Sequence, residues 1–229
     1  MADLIPVSHV IFDLDGLLLD TETIYKEGVV KILAKFGKSY SDDLRLKAMG
    51  TKEQEFLKIL HEELELPLSL EEFSKEYLSH FTVALANAEL KPGAERLIQH
   101  FHSKRVPMAV ATSSGQETCE VKLKRYSLLC SYFSHIVMGS SDSEVVKGKP
   151  APDIFYVAAR RFKDVPSPEK CLVFEDSYNG VMAARAAGMQ VVMVPEDKIS
   201  EEIRKTATVV LSSLEEFTPE HFGLPAFDS

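Results

Sequence analysis

The chain has 229 residues, a length that allows one large domain or a core domain carrying a modest insert. Its 45% hydrophobic content is enough for a real core, and a formal net charge of −9 argues against a binder of nucleic-acid polymers or anionic membranes. A small phosphorylated metabolite stays open as a partner, because a local site can be positive in an acidic protein, above all beside a bound cation.

Cys119, Cys130 and Cys171 are too few and too scattered for a disulfide framework or a zinc knuckle. They are expected to be reduced and mostly buried. No stretch approaches the roughly 18 to 20 apolar residues that span a bilayer, and the N-terminal residues carry no basic region followed by a long apolar run. The expectation is a cytoplasmic monomer.

In chain order, His9-Val10-Ile11-Phe12 is a short apolar run ending at Asp13 and reads as a buried strand. From about Thr21 to Asn87 the spacing becomes helical. Tyr25, Val29, Ile32, Leu33 and Phe36 form one apolar face, and Phe56, Leu57, Leu60 and Leu64 another. Ser69-Leu70-Glu71-Glu72 has the spacing of a capping box and opens a third helix through Tyr77, Leu78, Phe81 and Leu85.

After Pro92-Gly93, helix and strand alternate. A helix over 94–103 precedes a strand over 107–111 that ends at Thr112-Ser113-Ser114-Gly115, and a further helix runs to about Tyr126. Strands are expected at 135–138, 171–174 and 190–194, with an edge strand near 208–211. Pro152 suits the first position of a helix reaching Phe162, and Gly188 ends a helix over 180–187.

This alternation predicts an α/β fold: a doubly wound, parallel, Rossmann-like sheet with ligands at the carboxyl ends of its strands. Residues 1–18 and 90–229 form the expected core, and the helical segment 19–89 is an inserted candidate lid.

Three strand ends are polar: Asp13 with Asp15, Thr112 with Ser113, and Glu175 with Asp176. In a parallel sheet all three lie on one edge, so four carboxylates converge. Like charges at that distance repel and raise one another's pKa values unless a cation compensates. A few protein oxygens plus a substrate phosphate is the pattern of magnesium. The hydroxyls and N–H groups at 112–115, where a strand turns into a helix, suit an anion. Lys149, before Pro150, could add a positive charge for phosphate or for a carboxylate nucleophile.

Phe12-Asp13-Leu14-Asp15-Gly16 followed by Asp20-Thr21 resembles the first motif of the haloacid-dehalogenase (HAD) superfamily. Thr112 is similar to its second motif, Lys149 in Lys149-Pro150-Ala151-Pro152-Asp153 to its third, and Glu175-Asp176 to its fourth. The resemblance implies a phosphatase. Asp13 would take the phosphoryl group as an aspartyl-phosphate; Asp15 would protonate the leaving oxygen and then activate water. Thr112 and Ser113 would bind phosphate oxygens, and Lys149 would neutralise charge between nucleophile and phosphate. Mg²⁺ would be held by Asp13, the Asp15 carbonyl and Asp176, with Glu175 bonding directly or through water. The family's Lys-Pro bond is often cis, so a cis peptide is expected at Lys149-Pro150.

The insert is similar to the small helical cap of one HAD subgroup, which implies a nucleotide-like or sugar monophosphate as substrate. Pseudouridine 5′-phosphate is the first substrate that the resemblance implies, through scaffold stretches such as 170–176 and 187–195 that speak to relatedness more than to substrate. Within the insert only Met49-Gly50 and Leu66-Pro67 match. A phosphomutase of the subgroup carries a histidine shortly after the first-motif Thr and an arginine after a cap Gly, where this chain has Tyr25 and, near Gly50, Lys52 with Glu53. Lys52 reads as a surface charge at a helix start, and Glu53, Glu62, Glu63, Glu71 and Glu72 as solvated helix faces. His9 reads as a strand-edge residue. A non-catalytic interaction protein is the remaining alternative, opposed by the complete set of motif residues.

Overall fold

The computed structural model describes residues 4–48, 51–195 and 200–228; Met49-Gly50 lie outside the described residues. Among the described residues, six strands form one parallel sheet in the order β3-β2-β1-β4-β5-β6. They are β1 (His9–Phe12), β2 (Met108–Thr112), β3 (His135–Met138), β4 (Cys171–Glu175), β5 (Gln190–Met193) and β6 (Val209–Val210). Every pairing is parallel, with Phe12 opposite Phe174 and Val110.

The strands are short apolar runs because both faces of the sheet are covered. Side chains alternate between two cores, as a period of two requires. Val10, Phe12, Val110 and Phe174 pack on one side, and Ile11, Ala109, Ala111 and Val173 on the other. The first face is covered by α5 (Ala94–Ser103) and the short α7 (Ser127–Cys130); the second by α8 (Asp153–Arg160) and α9 (Tyr178–Ala186). Gly188 takes φ +77° just beyond α9, the left-handed stop that glycine tolerates best. Pro152 sits one position before α8, as its N-cap rather than its first residue.

Between β1 and β2 run α1 (Glu22–Ala34), α2 (Asp42–Ala48), α3 (Glu53–Glu63) and α4 (Leu70–Leu85). They share a separate cluster that includes Val29, Leu33, Leu57, Leu60, Phe73 and Phe81. The capping box at the start of α4 is formed: Ser69 donates its N–H and hydroxyl to Glu72 Oε2 at 2.8 and 2.7 Å, and the Glu72 N–H returns to Ser69 Oγ at 3.3 Å. The short α2, of 7 residues, is invisible in the apolar spacing because about two turns carry little periodicity.

The long helix expected after Gly115 is two pieces, α6 (Gln116–Leu123) and a 3₁₀ turn over Lys124–Tyr126. All three cysteines are free; Cys119 and Cys171 are buried and Cys130 is half-buried.

Candidate active site

Asp13 leaves the carboxyl end of β1, where its N–H donates to the Phe174 carbonyl of β4 at 3.0 Å. Its carboxylate accepts from Lys149 Nζ at 2.5 Å, and the same ammonium donates to Glu175 Oε1 at 2.5 Å and to the Ala111 carbonyl at 3.3 Å. Lys149 enters from the loop before α8 through a cis bond to Pro150. One buried ammonium thus links the ends of β1, β2 and β4. Burial alone would lower its pKa, but Asp13 and Glu175 outweigh that and hold it above the usual lysine value.

Asp13, Glu175 and Asp176 bring carboxylate oxygens within 4.8 Å of one another, all three residues buried. Burial pushes the Asp13 carboxyl up to about 7; Lys149 works against that rise, and Glu175 and Asp15 add to it. Asp176 is raised well above the carboxylate range by burial, Glu175 and Asp13. Asp176 Oδ2 is buried with no hydrogen-bond partner among the described residues. A single ammonium does not balance three buried carboxylates, so this donor set fits a hard divalent cation bound by oxygen. Gly16 makes room for it: at φ +79°, a Cβ there would stand 2.1 Å from Asp176 Oδ2.

Glu175 is fully buried and both its oxygens are engaged. Oε1 holds Lys149, while Oε2 accepts from the N–H groups of Asp176 (3.2 Å) and Ser177 (3.4 Å) and from Ser177 Oγ (3.1 Å). Gly180 allows this approach, since a Cβ there would lie 1.9 Å from Glu175 Cδ.

Asp15 belongs to a second polar network. Its Oδ2 accepts from Ser114 Oγ (2.9 Å) and Thr112 Oγ1 (3.2 Å), and Lys122 Nζ donates to both carboxylate oxygens at 2.6 Å. Burial would raise Asp15, but Lys122, with the hydroxyls of Ser114 and Thr21, holds its carboxyl below the usual value. Thr112 is fully buried, and its hydroxyl also accepts the Ser114 N–H at 3.1 Å. Ser113 and Ser114, rather than Thr112, line the cleft above.

That cleft, open to solvent, spans about 730 Å³ of empty space. Its floor includes Asp13, Asp15 and Asp176; its walls come from the inserted segment, among them Tyr25, Tyr40, Arg45, Glu53, Phe56 and Tyr77. Tyr25 and Tyr77 face each other with ring planes 6° apart and centroids at 6.3 Å. Glu53 is not a solvated helix residue: it lines the cleft, accepts from Thr118 Oγ1 at 2.9 Å, and its N–H donates to Ser140 Oγ at 3.1 Å. Lys52 donates to the Val145 carbonyl at 2.6 Å, so its ammonium ties the insert to the loop ahead of Lys149.

The positions chosen from sequence, Asp13, Asp15, Thr112, Ser113, Lys149, Glu175 and Asp176, thus converge on one edge of the sheet. Lys122 was missed. Thr118, Cys119 and Lys122 are the buried residues of α6, and their spacing at i, i+1 and i+4 around an apolar cysteine was the available signal. Ser114, within the quoted Thr-Ser-Ser-Gly stretch, carries the hydroxyl that bonds Asp15.

Residues 10–194 match the family profile of haloacid dehalogenase-like hydrolases. The chain is 51% identical over 221 residues to a Drosophila melanogaster protein named "Probable pseudouridine-5′-phosphatase", with 96% of each chain covered. It is 45% identical to (DL)-glycerol-3-phosphatase 2 of Arabidopsis thaliana, covering 97% of this chain and 93% of that one. The β-phosphoglucomutase structure from Clostridium difficile shares the fold, with a TM-score of 0.77 at 22% identity over 94% of this chain and 95% of that one. The chain belongs to the haloacid dehalogenase-like hydrolases, and it is an enzyme.

Proposed function

We propose that this chain, an HAD-family phosphatase, hydrolyses a small phosphomonoester through an aspartyl-phosphate on Asp13. The observation that carries the reading is the convergence of Asp13, Lys149, Glu175 and Asp176 beneath a cleft whose other wall is helical. Asp13 attacks phosphorus, the bond from phosphorus to the ester oxygen breaks, and Asp15 gives a proton to the departing oxygen. Water then attacks the phosphoryl group; Asp15 takes its proton, phosphate leaves, and the Asp13 carboxylate is restored.

Thr112 and Ser113 bind and orient phosphate oxygens in this reading, and Lys149 offsets charge on the nucleophile side. Asp13, Asp176 and the Asp15 carbonyl would hold Mg²⁺, with Glu175 in direct or water-bridged contact and already fixed through Lys149. The cation supplies charge neutralisation for the developing phosphoryl oxyanions. Helices α1–α4, residues 19–89 of the chain, act as a cap that excludes water and sets specificity over the core of residues 1–18 and 90–229.

Pseudouridine 5′-phosphate is the substrate the resemblance favours, and the Drosophila relative's name supports it; the Arabidopsis relative keeps glycerol phosphate on the panel. Engagement of the Lys52 ammonium by a carbonyl weighs against a phosphomutase that must grip a second phosphate. The enzyme works as a cytoplasmic monomer on a free metabolite, with no nucleic-acid or membrane partner. No helix among the described residues is long and apolar enough to cross a membrane.

The test is Mg²⁺-dependent phosphate release from pseudouridine 5′-phosphate, uridine 5′-phosphate, glycerol phosphate and small sugar phosphates. Turnover undiminished in Asp13→Asn sinks the mechanism. Equal kcat/KM for the two nucleotides removes pseudouridine 5′-phosphate as the substrate.

A further inference from the structure

Two lysines are buried at the sheet edge, and the mechanism above uses only Lys149. Lys122 lies on α6, 0% exposed. A lysine in such surroundings persists only where every donor is met. Its ammonium has three hydrogens, and three acceptors surround it at 2.6 Å: Asp15 Oδ1, Asp15 Oδ2 and Ser114 Oγ. No donor is left over for a substrate phosphate. The ring of Tyr25, from the inserted α1, covers the ammonium with its centroid at 5.9 Å.

The same contacts decide which oxygen of Asp15 can exchange a proton. Oδ2 receives Lys122, Ser114 Oγ at 2.9 Å and Thr112 Oγ1 at 3.2 Å, which fills its lone pairs. Oδ1 takes one of these contacts, from Lys122 at 2.6 Å, and so keeps a lone pair for the transferable proton. Ser114 closes the triangle by donating to Asp15 while accepting from Lys122.

We infer that Lys122 is a positioning residue: it clamps Asp15 against Ser114 so that Oδ1 is presented to the leaving oxygen of the ester. It acts through Asp15 and touches neither phosphate nor leaving group. The inference rests on the reading of Asp15 as the proton donor. It is independent of which phosphomonoester is the substrate.

The test uses two substrates on one preparation of the full-length, Mg²⁺-loaded enzyme: an alkyl phosphate, whose leaving oxygen needs a proton, and p-nitrophenyl phosphate, whose leaving group departs without one. Because kcat/KM reports the steps up to phosphoryl transfer, it excludes the later attack by water. A positioned general acid contributes a factor on the order of 10² to 10⁴. Lys122→Met is therefore expected to lose about 100-fold in kcat/KM on the alkyl ester and less than about fivefold on p-nitrophenyl phosphate. The ratio of the two is internal to each preparation, so a partly folded sample does not alter it; Lys122→Gln serves if Lys122→Met does not fold. The Lys122→Met/Asp15→Asn double variant should match Asp15→Asn alone, since both remove one function.

Equal losses on both esters would make Lys122 a structural or phosphate-binding lysine and overturn the inference. Asp15→Asn on the same pair separates the two levels. If it shows the selective alkyl loss and Lys122→Met does not, only the role of Lys122 fails. If Asp15→Asn shows no selective loss, the proton-donor reading fails and takes the inference with it.

Discussion

Lys149→Met removes an ammonium that meets both Asp13 and Glu175, each at 2.5 Å and each buried. A hydrogen bond to a charged group is worth about 1.5–3 kcal/mol, and removing one partner of a buried ion pair costs about 3–5 kcal/mol. Two such contacts, partly offset when a carboxyl takes up a proton, place the loss near 4 kcal/mol. For a domain of this size that is a fall of about 10 °C in melting temperature.

The pH dependence has a definite sign. Asp13 is already raised to about 7 with Lys149 working against the rise, and without Lys149 it goes higher, so the variant goes on losing stability above pH 7 where the wild type has stopped. The difference between wild type and variant, measured by urea denaturation in EDTA, should therefore widen as pH rises above about 7. A difference below about 1 kcal/mol at pH 8, or one that narrows with pH, would refute this account of the charge balance.

Asp176→Asn should melt higher than wild type in EDTA at pH 8, because the Asp176 carboxyl is raised by burial and by Glu175 and Asp13 and so opposes folding when ionised. The same variant should lose the rise in melting temperature that Mg²⁺ gives the wild type. Gly16→Ala places a methyl 2.1 Å from Asp176 Oδ2 on a backbone at φ +79°. Mg²⁺ affinity measured by calorimetry should fall at least tenfold, with about 1–2 kcal/mol of stability lost to the left-handed conformation. Because burial holds Asp13 at about 7 without metal, proton release on Mg²⁺ binding should be measurable at pH 6 and decline by pH 9. Phe81→Ala removes a ring packed on Gly28 and Tyr77 in the insert cluster. It should cost about 3–5 kcal/mol of local stability, read as faster amide exchange in α1–α4 than in the sheet.

The strands were legible because a fully covered parallel sheet writes itself as short apolar runs, and the runs of β1, β2 and β4 end at polar residues of the site. Thus Phe12 leads to Asp13 and Phe174 to Glu175. Glu53 was misread because it follows Lys52 and precedes Gln54 and Glu55, a sequence that looks solvated. Its contacts with Thr118 and Ser140 lie 65 and 87 residues away. Helix α6 itself was expected, but its order gives almost no amphipathic contrast, and burial of Lys122 follows from α6 and the inserted α1 closing over it.

The sequence by itself determined the chemistry at the strand ends, since backbone periodicity decides where a strand stops and which residue stands there. Only the tertiary structure decided how that chemistry is divided: Lys149 with Asp13 and Glu175, Lys122 with Asp15 and Ser114. Asp15 and Lys122 are 107 positions apart, and no local rule couples them. They meet because an ammonium and a carboxylate taken out of water must find each other, and the packing of α6 beside the insert leaves them no other partner geometry.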